Sequence, residues 1–192
     1  MTDPVDHPAP EPRRAEAESP VYAVPEDKRI SVGAPSLIAL PNGKLLAAFD
    51  QTGPDVKSLA GKKGHDAKRN RWMQGRVMAS ADGGATWQLA ATYPFRRASL
   101  FRDGGDVYLV GEASGGLCLM RSPDGGGSWS APVELTGDLD LWLSPTTVLA
   151  GGDAWYLPSL MASGGGMGLA VRRVSTGGSQ GAWRRPLSRP IS

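Results

Sequence analysis

One octapeptide occurs twice in this chain. Ser-Ala-Asp-Gly-Gly-Ala-Thr-Trp at 80–87 and Ser-Pro-Asp-Gly-Gly-Gly-Ser-Trp at 122–129 share the pattern Ser-x-Asp-x-Gly-x-Thr/Ser-Trp, 42 residues apart. A period of that length marks a repeated structural unit, a propeller blade or a solenoid turn. Each copy follows an apolar run (Arg76–Ala79, Leu117–Arg121) and precedes another extended piece, so it reads as strand, turn, strand. The residues within it suit the turn. Asp82 and Asp124 are placed for Asx-type turns in which the carboxylate accepts backbone N–H groups, with Ser80, Thr86, Ser122 and Ser128 beside them. Gly84 and Gly126 supply positive φ, and Trp87 and Trp129 open the outgoing strand as large apolar wedges.

A second hairpin stands upstream of each copy. Ser36–Leu40, a turn at Pro41–Lys44 and Leu45–Phe49 form the first; Ala98–Arg102, Asp103–Asp106 and Val107–Val110 the second. A third runs Thr146–Leu149, Ala150–Asp153 and Ala154–Leu157, continuing into Leu169–Arg173 and a degenerate turn at Ser175–Trp183. Glycine supports this punctuation: all 26 fall between Gly33 and Gly181, where with 16 prolines they mark turns rather than helices. Two consecutive hairpins, repeated, predict an all-β β-propeller of four-stranded antiparallel blades, about three of them, over roughly 33–93, 94–138 and 142–188.

Other classes fall away on composition. Cys118 is the single cysteine and there are two histidines, which offers neither a disulfide framework nor a zinc-ligand spacing, so no metal and no cofactor is expected. No stretch approaches the length of a membrane span, and the N-terminus has no basic-then-apolar export pattern, leaving the compartment open. Residues 1–20 hold five prolines and no glycine and predict a disordered, acidic tail, with the partial propeller over 21–192. The net charge of +2 hides an asymmetry: residues 1–28 carry three basic against seven acidic side chains. The densest basic run, Gly53–Arg76, has seven Lys or Arg, but Trp72 is its only aromatic, so a nucleic-acid partner is not expected.

The octapeptide resembles the Asp-box, or bacterial neuraminidase repeat, of the sialidase superfamily. Ala34-Pro-Ser-Leu-Ile-Ala-Leu-Pro-Asn-Gly-Lys-Leu-Leu-Ala47 also resembles that superfamily's opening blade. The resemblance covers the architecture of residues 21–192 and implies the N-terminal half of a six-bladed propeller. It implies that Ser80, Asp82, Gly84, Thr86, Trp87 and Ser122, Asp124, Gly126, Ser128, Trp129 are structural turn residues on the face away from the pocket. The pocket lies where each innermost strand begins. Members resemble one another in three arginines gripping a substrate carboxylate, an aspartate acid/base and a tyrosine nucleophile, an exception among glycosidases. Arginine suits this because its fork binds planar anions bidentately.

This chain departs from that pattern. Where the first arginine is expected stands Gly33-Ala34-Pro35, and Arg29 needs a register shift to serve. Asp66 is the nearest carboxylate to the acid/base position, with a solvated loop charge as the other reading, and the later arginines and tyrosine have no counterpart here. Arg96 and Arg97 at the entry to the second innermost strand, Glu112 after the strand that follows and Trp142 before the third remain on the pocket face. An arginine, a carboxylate and an aromatic in one hollow suit a charged sugar ring. The expectation is therefore a sialidase-like glycoside hydrolase homologue or fragment that acts on or binds acidic sugars, incomplete as a catalyst by itself. The alternative is a non-catalytic propeller module for glycan or protein. Three blades leave open edges, so either a missing C-terminal half or a second copy closing the ring is expected.

Overall fold

The computed structural model describes residues 19–135 in full and, beyond them, the backbone of four strands between Leu141 and Ser175. The fold is all-β and antiparallel. Among the described residues there is no α-helix, only one turn of 3-10 helix over Pro54–Ser58, and no helix long and apolar enough to cross a membrane.

Three sheets follow one another along the chain. The first orders β1 (Ser31–Ala39), β2 (Leu45–Thr52) and β4 (Arg71–Ser80); the outer edge of β4 is shared by β3 (Gly64–Asp66) at its start and β5 (Gln88–Tyr93) at its end. The second runs β6 (Arg96–Asp103), β7 (Asp106–Ala113), β8 (Gly116–Ser122) and β9 (Val133–Glu134). The third pairs β10 (Leu141–Ala150) with β11 (Asp153–Met161), whose other edge carries β12 (Met167–Leu169) and β13 (Arg172–Ser175). The sheets stack in chain order: β6 lies against β1 and β2 on one side and β10 on the other.

Alternation explains the stacking. Leu46 and Ala48 of β2 and Val77 of β4 point toward the second sheet and meet Leu100, Val107, Leu109 and Met120 in one core, with Tyr93, Phe95 and Ala98 at the connection. Burying a side chain such as Leu46, fully covered here, contributes about 2 kcal/mol. The intervening residues Leu45 and Ala47, with Leu37 and Trp87, face the other way. They line a hollow of 740 Å³ on the outward face of the first sheet, where Leu37 is 63% exposed. Ser19 and Val21 also line that hollow; nearby, Tyr22 stacks on Phe49 at 5.2 Å and its hydroxyl accepts from the Gln51 amide. Residues 1–18 of the expected tail lie outside the described residues.

Both octapeptides close as hydrogen-bonded turns. Asp82 accepts from the Thr86 N–H (2.9 Å), the Thr86 hydroxyl (2.6 Å) and the Ser80 hydroxyl (2.7 Å), and Asp124 from the same groups of Ser128 and Ser122. These donors hold the Asp124 carboxyl down at about 2 and Asp82 lower still, with the Ser/Thr hydroxyl at the end of the turn the largest cause in each. The second turn nests on the first sheet: Gly125 and Gly126 approach Leu40 and Leu46, and Lys44 donates to the Gly125 carbonyl at 2.9 Å.

Candidate functional site

The first strands of the three sheets share an irregularity near their start. Register slips between Gly33 and Ser36 of β1, Arg96 and Ser99 of β6, and Leu143 and Thr147 of β10. Such a bulge re-aims side chains at the end of a sheet. Ala34 and Arg97 sit in the first two at φ 50° and 52°, the left-handed region, which costs a non-glycine residue about 1 kcal/mol. The structure offsets this at Arg97, whose backbone N–H donates to the Asp50 carboxylate. Asp50 is opposite Gly33, and Glu112 is opposite Arg96, so the two carboxylates occupy equivalent places in β2 and β7.

Asp50 is 5% exposed and also accepts from the Tyr93 hydroxyl at 3.2 Å. Burial pushes its carboxyl up to about 7, against the hydrogen bonds from Arg97 and Tyr93 and the charges of Arg96 and Arg97. Beside it runs a buried ionic chain. Arg96 donates to Glu112 at 2.7 Å and lies 3.8 Å from Asp66; Asp66 accepts from the Arg69 backbone and guanidinium, each at 3.1 Å; Glu112 takes the Gly115 N–H at 3.1 Å. Burial raises the Asp66 carboxyl, but the Arg69 hydrogen bonds and the charges of Arg69 and Arg96 outweigh it and hold it below the usual range. Burial, then the neighbouring Arg96, lowers the half-buried Arg97 guanidinium. A partly desolvated cation of this kind gains from an arriving anion.

The sequence-predicted residues divide as follows. Arg96 and Glu112 meet directly, and Arg97 stands next to them in β6. Glu112 lies within β7 rather than after it. Asp66 is not the solvated charge of the second reading: β3 pairs with the start of β4 and turns the carboxylate inward to two arginines, leaving it 2% exposed. Trp142 falls within β10, its side chain outside the described residues. Asp50, Tyr93 and Arg69 were not singled out in the sequence. The available signal was that Asp50 ends an apolar run at the same offset from Leu45 as Glu112 from Val107.

No family model matches the chain, and no curated protein matches it in sequence. Solved structures do. The catalytic domain of a GH62 α-L-arabinofuranosidase from Coprinopsis cinerea superposes with a TM-score of 0.53 at 13% identity, over 87% of this chain and 54% of that one. The chain has a glycoside-hydrolase-like fold. It spans about half the length of that domain. An α-L-arabinanase from Penicillium chrysogenum (TM-score 0.46, 21% identity, 65% of this chain and 40% of that one) and the NanB sialidase of Streptococcus pneumoniae (0.45, 21%, 77% and 22%) are more distant superpositions.

Proposed function

We propose that the chain is part of a sialidase-like β-propeller, three blades over about 33–93, 94–138 and 142–188, whose cleft at the entry of the innermost strands binds an acidic sugar. The observation that carries this reading is Arg97: a half-buried guanidinium held in a left-handed bulge by buried Asp50, beside the Arg96–Glu112–Asp66 chain. Strained backbone maintained at an arginine, with a buried carboxylate committed to it, is how binding sites store order. The octapeptide turns, by the same resemblance, are scaffold.

Binding is favoured over bond cleavage by the carboxylates themselves. Asp66, ion-paired and held low, is poorly suited to donate a proton near neutral pH, and Asp50 is buried with both oxygens occupied. Closure of the ring falls to a second copy or to further blades. Calorimetric titration with N-acetylneuraminic acid, galacturonic acid and neutral galactose tests the reading. Both acids bind, galactose does not, and Arg97→Ala weakens the acids by about tenfold or more. Equal binding of galactose, or an Arg97→Ala protein that binds as well as the parent, overturns it. Release of a fluorogenic aglycone from a sialoside between about pH 4 and pH 8 overturns the non-catalytic part alone.

A further inference from the structure

The turn between β3 and β4 builds a further hollow beside Arg69. It has a volume of 520 Å³ and is lined by Arg69, Asn70, Arg71 and Trp72 on one side and by the segment Thr52–Pro54 with Ser31 on the other. None of these residues is acidic. Its walls are braced: Asp66 holds Arg69 through two hydrogen bonds, the Trp72 ring packs on His65 with centroids 4.8 Å apart, and His65 Nε2 meets the Asn70 side-chain oxygen at 3.1 Å while Asn70 takes φ 46°. Arg71 is exposed and has no acidic ion-pair partner among the described residues. A guanidinium pair beside an indole face is the chemistry that grips a ring carrying an oxyanion: the fork takes the anion and the indole takes the apolar face of the ring.

Asp66 links this hollow to the Arg97 site. Its buried carboxylate bonds Arg69 at 3.1 Å and lies 3.8 Å from Arg96, and the Arg69 charge is close enough to act on Arg97. One anion at each place therefore requires a ligand with charges on neighbouring units. We infer that the Arg69–Arg71–Trp72 hollow is a second subsite, and that the ligand is an acidic oligosaccharide bearing an oxyanion on successive sugars rather than a single terminal acid. This rests on the cleft reading above for its first subsite. Carboxylates of uronic acids and sulfate esters present the same chemistry to a guanidinium.

The probes are galacturonic acid, trigalacturonic acid, a sulfated trisaccharide and neutral maltotriose, titrated calorimetrically into the full chain and into Arg71→Gln, Trp72→Phe and Arg97→Ala. Arg71 is exposed, so its variant tests the charge without touching the core, and circular dichroism checks that each variant is folded. Trigalacturonic acid binds at least about tenfold more tightly than the monomer because the second contact is intramolecular. Arg71→Gln removes most of that advantage, bringing the trimer toward the monomer's affinity, and the sulfated probe decides between the two sources of the anion. Equal affinity for monomer and trimer, or Arg71→Gln and Trp72→Phe proteins that keep the full trimer advantage, overturns the second subsite while the cleft reading stands. A trimer that loses affinity in Arg71→Gln but not in Arg97→Ala overturns the cleft instead. No binding of any acidic probe overturns both.

Discussion

Replacing Asp50 with asparagine isolates the cost of the buried carboxylate. The geometry accommodates the change: the asparagine oxygen accepts the Arg97 N–H, its amide donates to the Tyr93 hydroxyl, and Tyr93 still donates to the Phe49 carbonyl at 3.2 Å. What disappears is the charge. In the folded protein the Asp50 carboxyl titrates at about 7, against an ordinary 3.8, because burial penalises the ionised form. Between those two values the folded state keeps a proton that the unfolded chain has released. Folding stability therefore falls as pH rises through that window: the loss is complete above about pH 7 and absent below about pH 4. A displacement of this size is worth up to about 4 kcal/mol, and relaxation around a buried charge brings the expectation to roughly 2–4 kcal/mol. Urea unfolding followed by tryptophan fluorescence at a series of pH values reads it directly. Asp50→Asn and the parent coincide near pH 4, and the variant is the more stable by that amount near pH 8. Parallel profiles for the two proteins, or a variant that loses more stability at pH 8 than at pH 4, would refute the reasoning.

Two further outcomes follow from the packing. Gly126→Ala places a methyl 2.9 Å from Leu46 at φ +87°, whereas Gly83→Ala, at φ +71° in the equivalent turn of the first sheet, meets nothing within 4 Å. Urea melts should show a loss of about 2–3 kcal/mol for the former and about 1 kcal/mol for the latter; equal losses would refute the close approach of the turn to the first sheet. Arg96→Ala leaves Glu112 and Asp66 buried without their shared cation and should cost about 3–5 kcal/mol, partly recovered in the double variant with Glu112→Gln. A loss under about 1 kcal/mol would show that the ionic chain contributes little.

The strands and turns were legible because glycine, aspartate and serine or threonine at fixed offsets leave the backbone few alternatives. Ser80–Trp87 and Ser122–Trp129 close through the bonds that their residue types permit. Arg96 and Glu112 were legible together since both stand at the open end of the hairpin that begins the second sheet. The burial of Asp66 was not: a segment with seven basic side chains reads as solvated, and only the short pairing of β3 with the first residues of β4 folds the carboxylate inward. Asp50 escaped notice for a related reason. Its partner is the backbone of a residue 47 positions later, and a contact made to an N–H leaves no mark in the sequence of side chains.

The nesting of Gly125 and Gly126 on Leu40, Leu46 and Lys44 makes the joint between the first two sheets directional. The first sheet offers the tip of its first hairpin, and the second answers with its octapeptide turn. The first sheet has given its tip to the second, but its own turn at Gly83 and Gly84 borders the apolar hollow beside Leu37 and Trp87. Stability in a row of stacked units is a sum of each unit's own stability and the joints between neighbours. A substitution at Leu46 or Gly126 thus weakens two units at once, whereas its counterpart in the first sheet's turn weakens one.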